Sequence, residues 1–171
     1  MKKIILILIV AIGASIGVSA QKFALIDMEY ILKNIPSYEM ANEQLNQVSQ
    51  TWEKEVNELS KEAENMYKNY QSEMVFLSDE QKKKREEEIV LKEKEVTETR
   101  YKYFGPEGEL YKKRQSLMRP IQEDVYNAVK AVATEKGYQT IFDRASSQSI
   151  VFASPSIDVS NEVLAKLGYS K

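Results

Sequence analysis

The densest chemistry-bearing stretch of this 171-residue sequence is Lys82-Lys83-Lys84-Arg85, followed at once by Glu86-Glu87-Glu88. Neighbouring carboxylates can act as general acid and base, and a basic run can hold a phosphate or a lipid headgroup. Neither use fits well here. Three consecutive helical residues spread around the helix instead of converging, so the glutamates do not form one site. Lys82, Lys83 and Lys84 have Glu86, Glu87 and Glu88 four residues on, and Glu80 precedes Lys84 by four. Such pairs are worth a few tenths of a kcal/mol, enough to neutralise the patch locally. A solvated helical face is expected, with membrane-surface contact as the weaker alternative. Asp27 and Asp143 lie near strand ends, where capping or turn formation explains them. The sequence has no Cys and no His, the usual metal ligand and the usual base near neutral pH. It also has no Gly-rich phosphate loop and no nucleophile elbow. No catalytic residue, metal site or cofactor is predicted, and the chain does not read as an enzyme.

What remains is apolar. In "MVFLSDEQ", Met74, Val75, Phe76 and Leu77 stand beside Ser78 and Gln81, which have the spacing of a capping box. An apolar run where one helix ends and another begins is unusual, because such places are normally polar. Two readings stay open. The four residues form a contact surface, or Met74 and Leu77 finish a helical seam while Phe76 packs across the turn.

The seam itself is legible. Leu45, Trp52, Leu59 and Met66 recur every seven residues, and Val56, Ala63, Tyr70 and Leu77 form a second column. Steps alternating four and three are the signature of a coiled coil. A return helix after Ser78 carries Ile89, Val96 and Tyr103, with the polar Lys92 and Thr99 in its partner column. Gly105-Pro106-Glu107-Gly108 interrupts it, since proline removes a helix bond and glycine loosens the backbone. Gly105, Pro106 and Gly108 are therefore either a hinge or a small loop-out that restores heptad register. The helix resumes through Leu110, Leu117, Ile121, Val125, Ala128 and Val132, with a kink expected at Pro120, and Gly137 stops it. Roughly forty residues of outgoing helix would reach about 60 Å, longer than a domain of this size is wide, so the hairpin should project.

Around it, Lys22 to Asp27 reads as a strand, and Asp27 caps a short helix, Met28 to Asn34, which Pro36 helps to stop. Tyr138 to Phe142 and Ile150 to Ala153 suggest a β-hairpin, which makes Ile141, Phe142, Val151 and Phe152 the candidate core and association residues. Asp158 or Ser160 caps a last helix carrying Val163, Leu164 and Leu167, ended by Gly168. The fold class is α+β: a small strand-containing body, 21–37 with 119–171, and a helical hairpin arm, 38–118, with its tip at about 74–80. About three strands are too few to bury both faces or hide their edges, so copies should associate.

Residues 1–20 read as a cleaved export signal: Lys2 and Lys3, the apolar run Ile4 to Ile12, then Val18-Ser19-Ala20 before Gln21. Removing them leaves 151 residues and moves the formal charge from −2 to −4, all of it on the arm. Nucleic acid is a poor partner for such a chain, because phosphate binding needs a basic footprint.

"KFALIDMEYILKNIPSYEMANEQL", "RPIQEDVYNAVKAVATEKGYQTIFDRA" and "SIDVSNEVLAKLG", in this order and at these separations, resemble the Skp/OmpH family of periplasmic chaperones. The acidic balance, the Ala20–Gln21 junction and "FGPEGEL" look like its Bacteroidetes-type branch. The resemblance implies a homotrimer, with strands of three subunits in a small β-barrel body and three hairpins hanging like tentacles around a cavity. It implies an ATP-independent holdase for unfolded outer-membrane proteins in the periplasm, with Met74 to Leu77 as arm tips facing client or membrane. The alternative is a structural coiled-coil adaptor of the cell envelope. One departure matters: the best-known members have strongly basic arms that attract acidic clients and lipopolysaccharide. This arm is acidic, so no lipopolysaccharide site carries over, and apolar contact outweighs charge.

Overall fold

A computed structural model of the chain describes residues 22–147 and 149–169; the expected export signal lies outside them. Strand β1 is Phe23–Ile26 and helix α1 is Met28–Lys33. The hairpin helices are α2, Pro36–Glu73, and α3, Asp79–Phe104. Helix α4 is Glu109–Lys136, β2 is Thr140–Asp143 and α5 is Ser160–Lys166. The chain divides into two compact units, one of Ile35–Asp124 and one containing the described residues before and after it.

In the strand-containing unit β1 and β2 pair in parallel, Ala24 opposite Ile141 and Leu25 opposite Phe142. On its other edge β1 meets the C-terminal segment, where the Val159 N–H donates to the Leu25 carbonyl at 2.8 Å. With both edges occupied, β1 is the buried strand, and Ala24, Leu25 and Ile26 pack with Ile31, Val125, Val132, Val159 and Val163 in the core. The hairpin expected between Tyr138–Phe142 and Ile150–Ala153 does not form. The Gln139 and Arg144 N–H groups donate to the Lys22 and Ile26 carbonyls at 2.8 Å, so β2 belongs to β1. Residues 150–153 form no strand. The free edge of β2 has no partner among the described residues.

Both strand-end aspartates are structural, as expected. Asp27 caps α1 by accepting the Tyr30 N–H at 2.8 Å and holds Arg144 at 3.1 Å. Asp143 accepts the N–H groups of Met28 and Ala145, each at 3.0 Å. Burial raises the Asp143 carboxyl, but hydrogen bonds from Ser146, Met28 and Ala145 outweigh it and hold the group below its ordinary value. At α5 the N-cap position is Val159, which has no capping side chain, so neither Asp158 nor Ser160 occupies it; the Asp158 carboxylate, one residue earlier, accepts the Ser160 N–H at 2.9 Å. Gly137 and Gly168 both have positive φ, 73° and 84°, which is why helices end there.

Pro36 is a correction: it does not stop α1 but opens α2, in the first helical turn, where its missing N–H costs nothing. Asn34 ends α1 instead, its N–H donating to Ile31 and Leu32 carbonyls. Helix α4 runs through Pro120 as one element.

Candidate functional site

The heptad columns become a real seam in the hairpin unit. Leu45, Val56, Ala63 and Tyr70 are buried on α2, and Ile89 and Tyr103 on α3, with Trp52, Leu59, Met66 and Val96 half-buried between them. Polar rungs cross the seam. The Tyr70 hydroxyl donates to Glu86, Lys92 joins Glu62 at 3.1 Å, and the Tyr103 hydroxyl reaches Glu55 at 3.0 Å. Each tyrosine is pushed up in pKa by the glutamate it bonds, which disfavours a second negative charge. The Trp52 and Tyr103 rings stack 4.7 Å apart and 5° from parallel. Periodicity alone did not foretell this stack, because it depends on the register between the helices. At about 1.5 Å per residue, the 38 residues of α2 extend about 57 Å.

The seam ends in a tight turn. Met74–Phe76 is one turn of 3-10 helix, Leu77 is extended, and its N–H donates to the Met74 carbonyl at 3.4 Å. Ser78 and Gln81 form both bonds of the capping box: Ser78 Oγ accepts the Gln81 N–H, and Gln81 Oε1 accepts the Ser78 N–H. Removing a cap of this kind costs about 1 kcal/mol, so the turn is held on its α3 side. Leu77 is half-buried and closes the seam, whereas Val75 and Phe76 are 76% and 85% exposed. Phe76 therefore does not pack across the turn. Burying such a side chain is worth about 1.5–3 kcal/mol, and here that gain is left unused.

The basic run beside the tip pairs differently from its sequence expectation. Arg85 lies between Glu73 of α2, at 3.8 Å, and Glu88, at 3.7 Å; Lys82 pairs with Asp79 at 3.7 Å. Glu86 is engaged by Tyr70, and among the described residues Lys83 and Lys84 hold no ion pair. The expected Lys-to-Glu ladder is thus replaced by one arginine that ties the two helices together below the tip.

At the interruption, α3 ends on Phe104 and α4 begins on Glu109. The Gly105 N–H still donates to Tyr101 at 2.8 Å, the Gly108 N–H to Gly105 at 2.9 Å, and Lys112 to Gly108 at 3.1 Å. Pro106 turns Gly105 out of the helical region, to ψ 168°. A Cβ on Gly105 would lie 2.4 Å from the Tyr101 carbonyl oxygen, and one on Gly108 would lie 2.8 Å from that of Tyr103. Only glycine fits at either position.

The four strand-derived candidates do not make this chain's own core. Ile141 is half-buried, Phe142 is half-exposed against Phe23, and Val151 and Phe152 are 98% and 84% exposed. The reason is the parallel pairing: β1 buries its own residues, and β2 keeps one edge open.

Among the described residues no helix is long and apolar enough to cross a membrane, and no group of acidic side chains could hold a metal ion. A family model described as "Outer membrane protein (OmpH-like)" matches residues 22–167. The protein named "Chaperone protein Skp" from Yersinia enterocolitica is 24% identical over 158 residues, covering 92% of each chain. A solved structure from Caulobacter crescentus, described as an OmpH-like outer membrane chaperone, shares the fold with a TM-score of 0.69. Its identity is 12%, over 88% of this chain and 86% of that one. With the long helical hairpin, the two-stranded parallel sheet and a family match spanning nearly all the described residues, the chain belongs to the OmpH-like outer membrane protein family.

Proposed function

We propose that this chain is an ATP-independent holdase that keeps unfolded outer-membrane proteins soluble in the periplasm. The observation that carries this reading is the tip, where Val75 and Phe76 stand in water on a backbone fixed by a capping box. An exposed apolar pair has no use in a purely structural coiled coil and suits transient contact with unfolded chain. Met74 beside it adds a flexible thioether that adapts to varied partners. The name of the Yersinia relative and the family match support the same reading. Binding without chemistry also accords with a chain that has no His or Cys.

The working form in this proposal is a homotrimer, because an open strand edge and the exposed Val151 and Phe152 call for covering by further copies. A urea-denatured β-barrel membrane protein, diluted into buffer with near-equimolar trimer and no nucleotide, should stay soluble by light scattering. Aggregation at the uncatalysed rate, with tight binding to one folded envelope protein instead, would contradict the holdase and favour the adaptor.

A further inference from the structure

Within the hairpin unit, the first turns of α2 and the stretch of α4 around Pro120 line an open groove of about 680 Å³, within the size range of ligand-holding clefts. Its apolar wall is Met40, which is 70% exposed, with Leu117 and Pro120, and the buried Ala41 and Ile121 form its floor. Gln44 supplies an amide that can both donate to and accept from a peptide backbone. The charged residues of the lining are two carboxylates, Glu43 and Asp124. Among the described residues neither holds an ion pair: Glu43 accepts a 3.4 Å bond from Gln47, and nearby Arg119 is taken by Glu123 at 3.0 Å.

We propose that this groove takes an extended apolar segment of another polypeptide that carries a lysine or arginine. The inference rests on the chaperone reading and deepens it by naming which parts of a client are held away from the tip. Leucine- or valine-type side chains fill the wall beside Met40, whose thioether accommodates different shapes. A cation among them meets two uncompensated carboxylates, whereas an acidic residue in the same place is repelled. The segment must be short, since the groove is small and open to solvent.

Two labelled ten-residue peptides of alternating Leu, Ala and Lys, or the same with Glu for Lys, test this by fluorescence anisotropy with the mature protein. The Lys peptide should bind about fivefold or more tightly than the Glu peptide, as expected for one or two exposed charge pairs. The double variant Glu43→Gln/Asp124→Asn should abolish that preference, and Met40→Ser should weaken both peptides. Equal binding of both peptides would overturn the proposal, as would a preference that survives the double variant. So would a photo-crosslinker at position 40 that captures a second copy of this chain in place of the peptide. The client-aggregation assay separates this inference from the reading beneath it. Suppression without peptide preference removes the groove alone, and loss of suppression with preference intact removes the holdase alone.

Discussion

Gly108→Ala is expected to lower stability by about 2–3 kcal/mol, in the range of overpacking substitutions, and the melting temperature by about 5–10 °C. The sign is the informative part. At an ordinary helical position alanine in place of glycine stabilises by about 0.4–1 kcal/mol, through the unfolded chain and helix propensity. Here the new methyl would meet the carbonyl oxygens of Tyr103 and Lys102 and the Gly105 nitrogen, all within 2.9 Å. Those are backbone atoms, which cannot swing aside as a side chain can. Glu107→Ala, one residue away and exposed, is the control and should leave the midpoint unchanged. A midpoint for Gly108→Ala at or above that of the parent protein would contradict the close-packed splice. Replacing all four residues of Gly105–Gly108 with alanine then separates the two roles left open by the sequence. It should extend the helix, favoured by ~3 kcal/mol for the proline and ~1 for each glycine. If the splice is a hinge, the variant still assembles but loses large clients while keeping small ones. Capacity unchanged across client sizes leaves register as its role.

The double variant Val151→Asp/Phe152→Asp is expected to lose assembly altogether. In the single chain both side chains are almost fully exposed, so charging them removes no contact of this chain's own core. In a trimer, each Phe152 would add about 1.5–3 kcal/mol of apolar burial, three times over, and an aspartate there would be a buried unpaired charge. Sedimentation should show trimer for the parent and monomer for the variant. If folding and association are coupled, the parent's melting temperature should also rise with protein concentration. A parent chain that is a stably folded monomer at micromolar concentration would contradict this expectation.

The helical part of this fold could be read from the sequence because its signal is local and repeated. Leu45, Val56, Ala63 and Tyr70 are spaced by the helix period, and each is buried where the period put it. Caps were equally readable, since Asp27, Ser78 and Gln81 act within three residues of themselves. The sheet was not. Ala24 pairs with Ile141 across the whole hairpin, and nothing near either residue reports a partner so distant. Two apolar runs close together, Tyr138–Phe142 and Ile150–Ala153, look like a hairpin for the same local reason, yet β1 takes the first of them. Ion pairs failed in a similar way. The i to i+4 spacing of Lys82 with Glu86 is real, but Tyr70 from the other helix claims Glu86. Pro36 was ambiguous by nature, because the residue that forbids helix interior also favours a helix start. At the tip, sequence alone left seam and contact surface equally open. The exposure of Phe76 argues for the surface, and Leu77 alone serves the seam.

In the proposed holdase, unfolded client meets the protein at this tip. The aggregation assay on Val75→Ser/Phe76→Ser, which keeps the capping box and the seam, checks that contact. We predict that the variant remains trimeric and helical but needs about tenfold more protein for equal suppression, corresponding to a loss of ~1.4 kcal/mol of apolar contact. Suppression equal to that of the parent protein, by a variant with unchanged assembly and helicity, would contradict the claim.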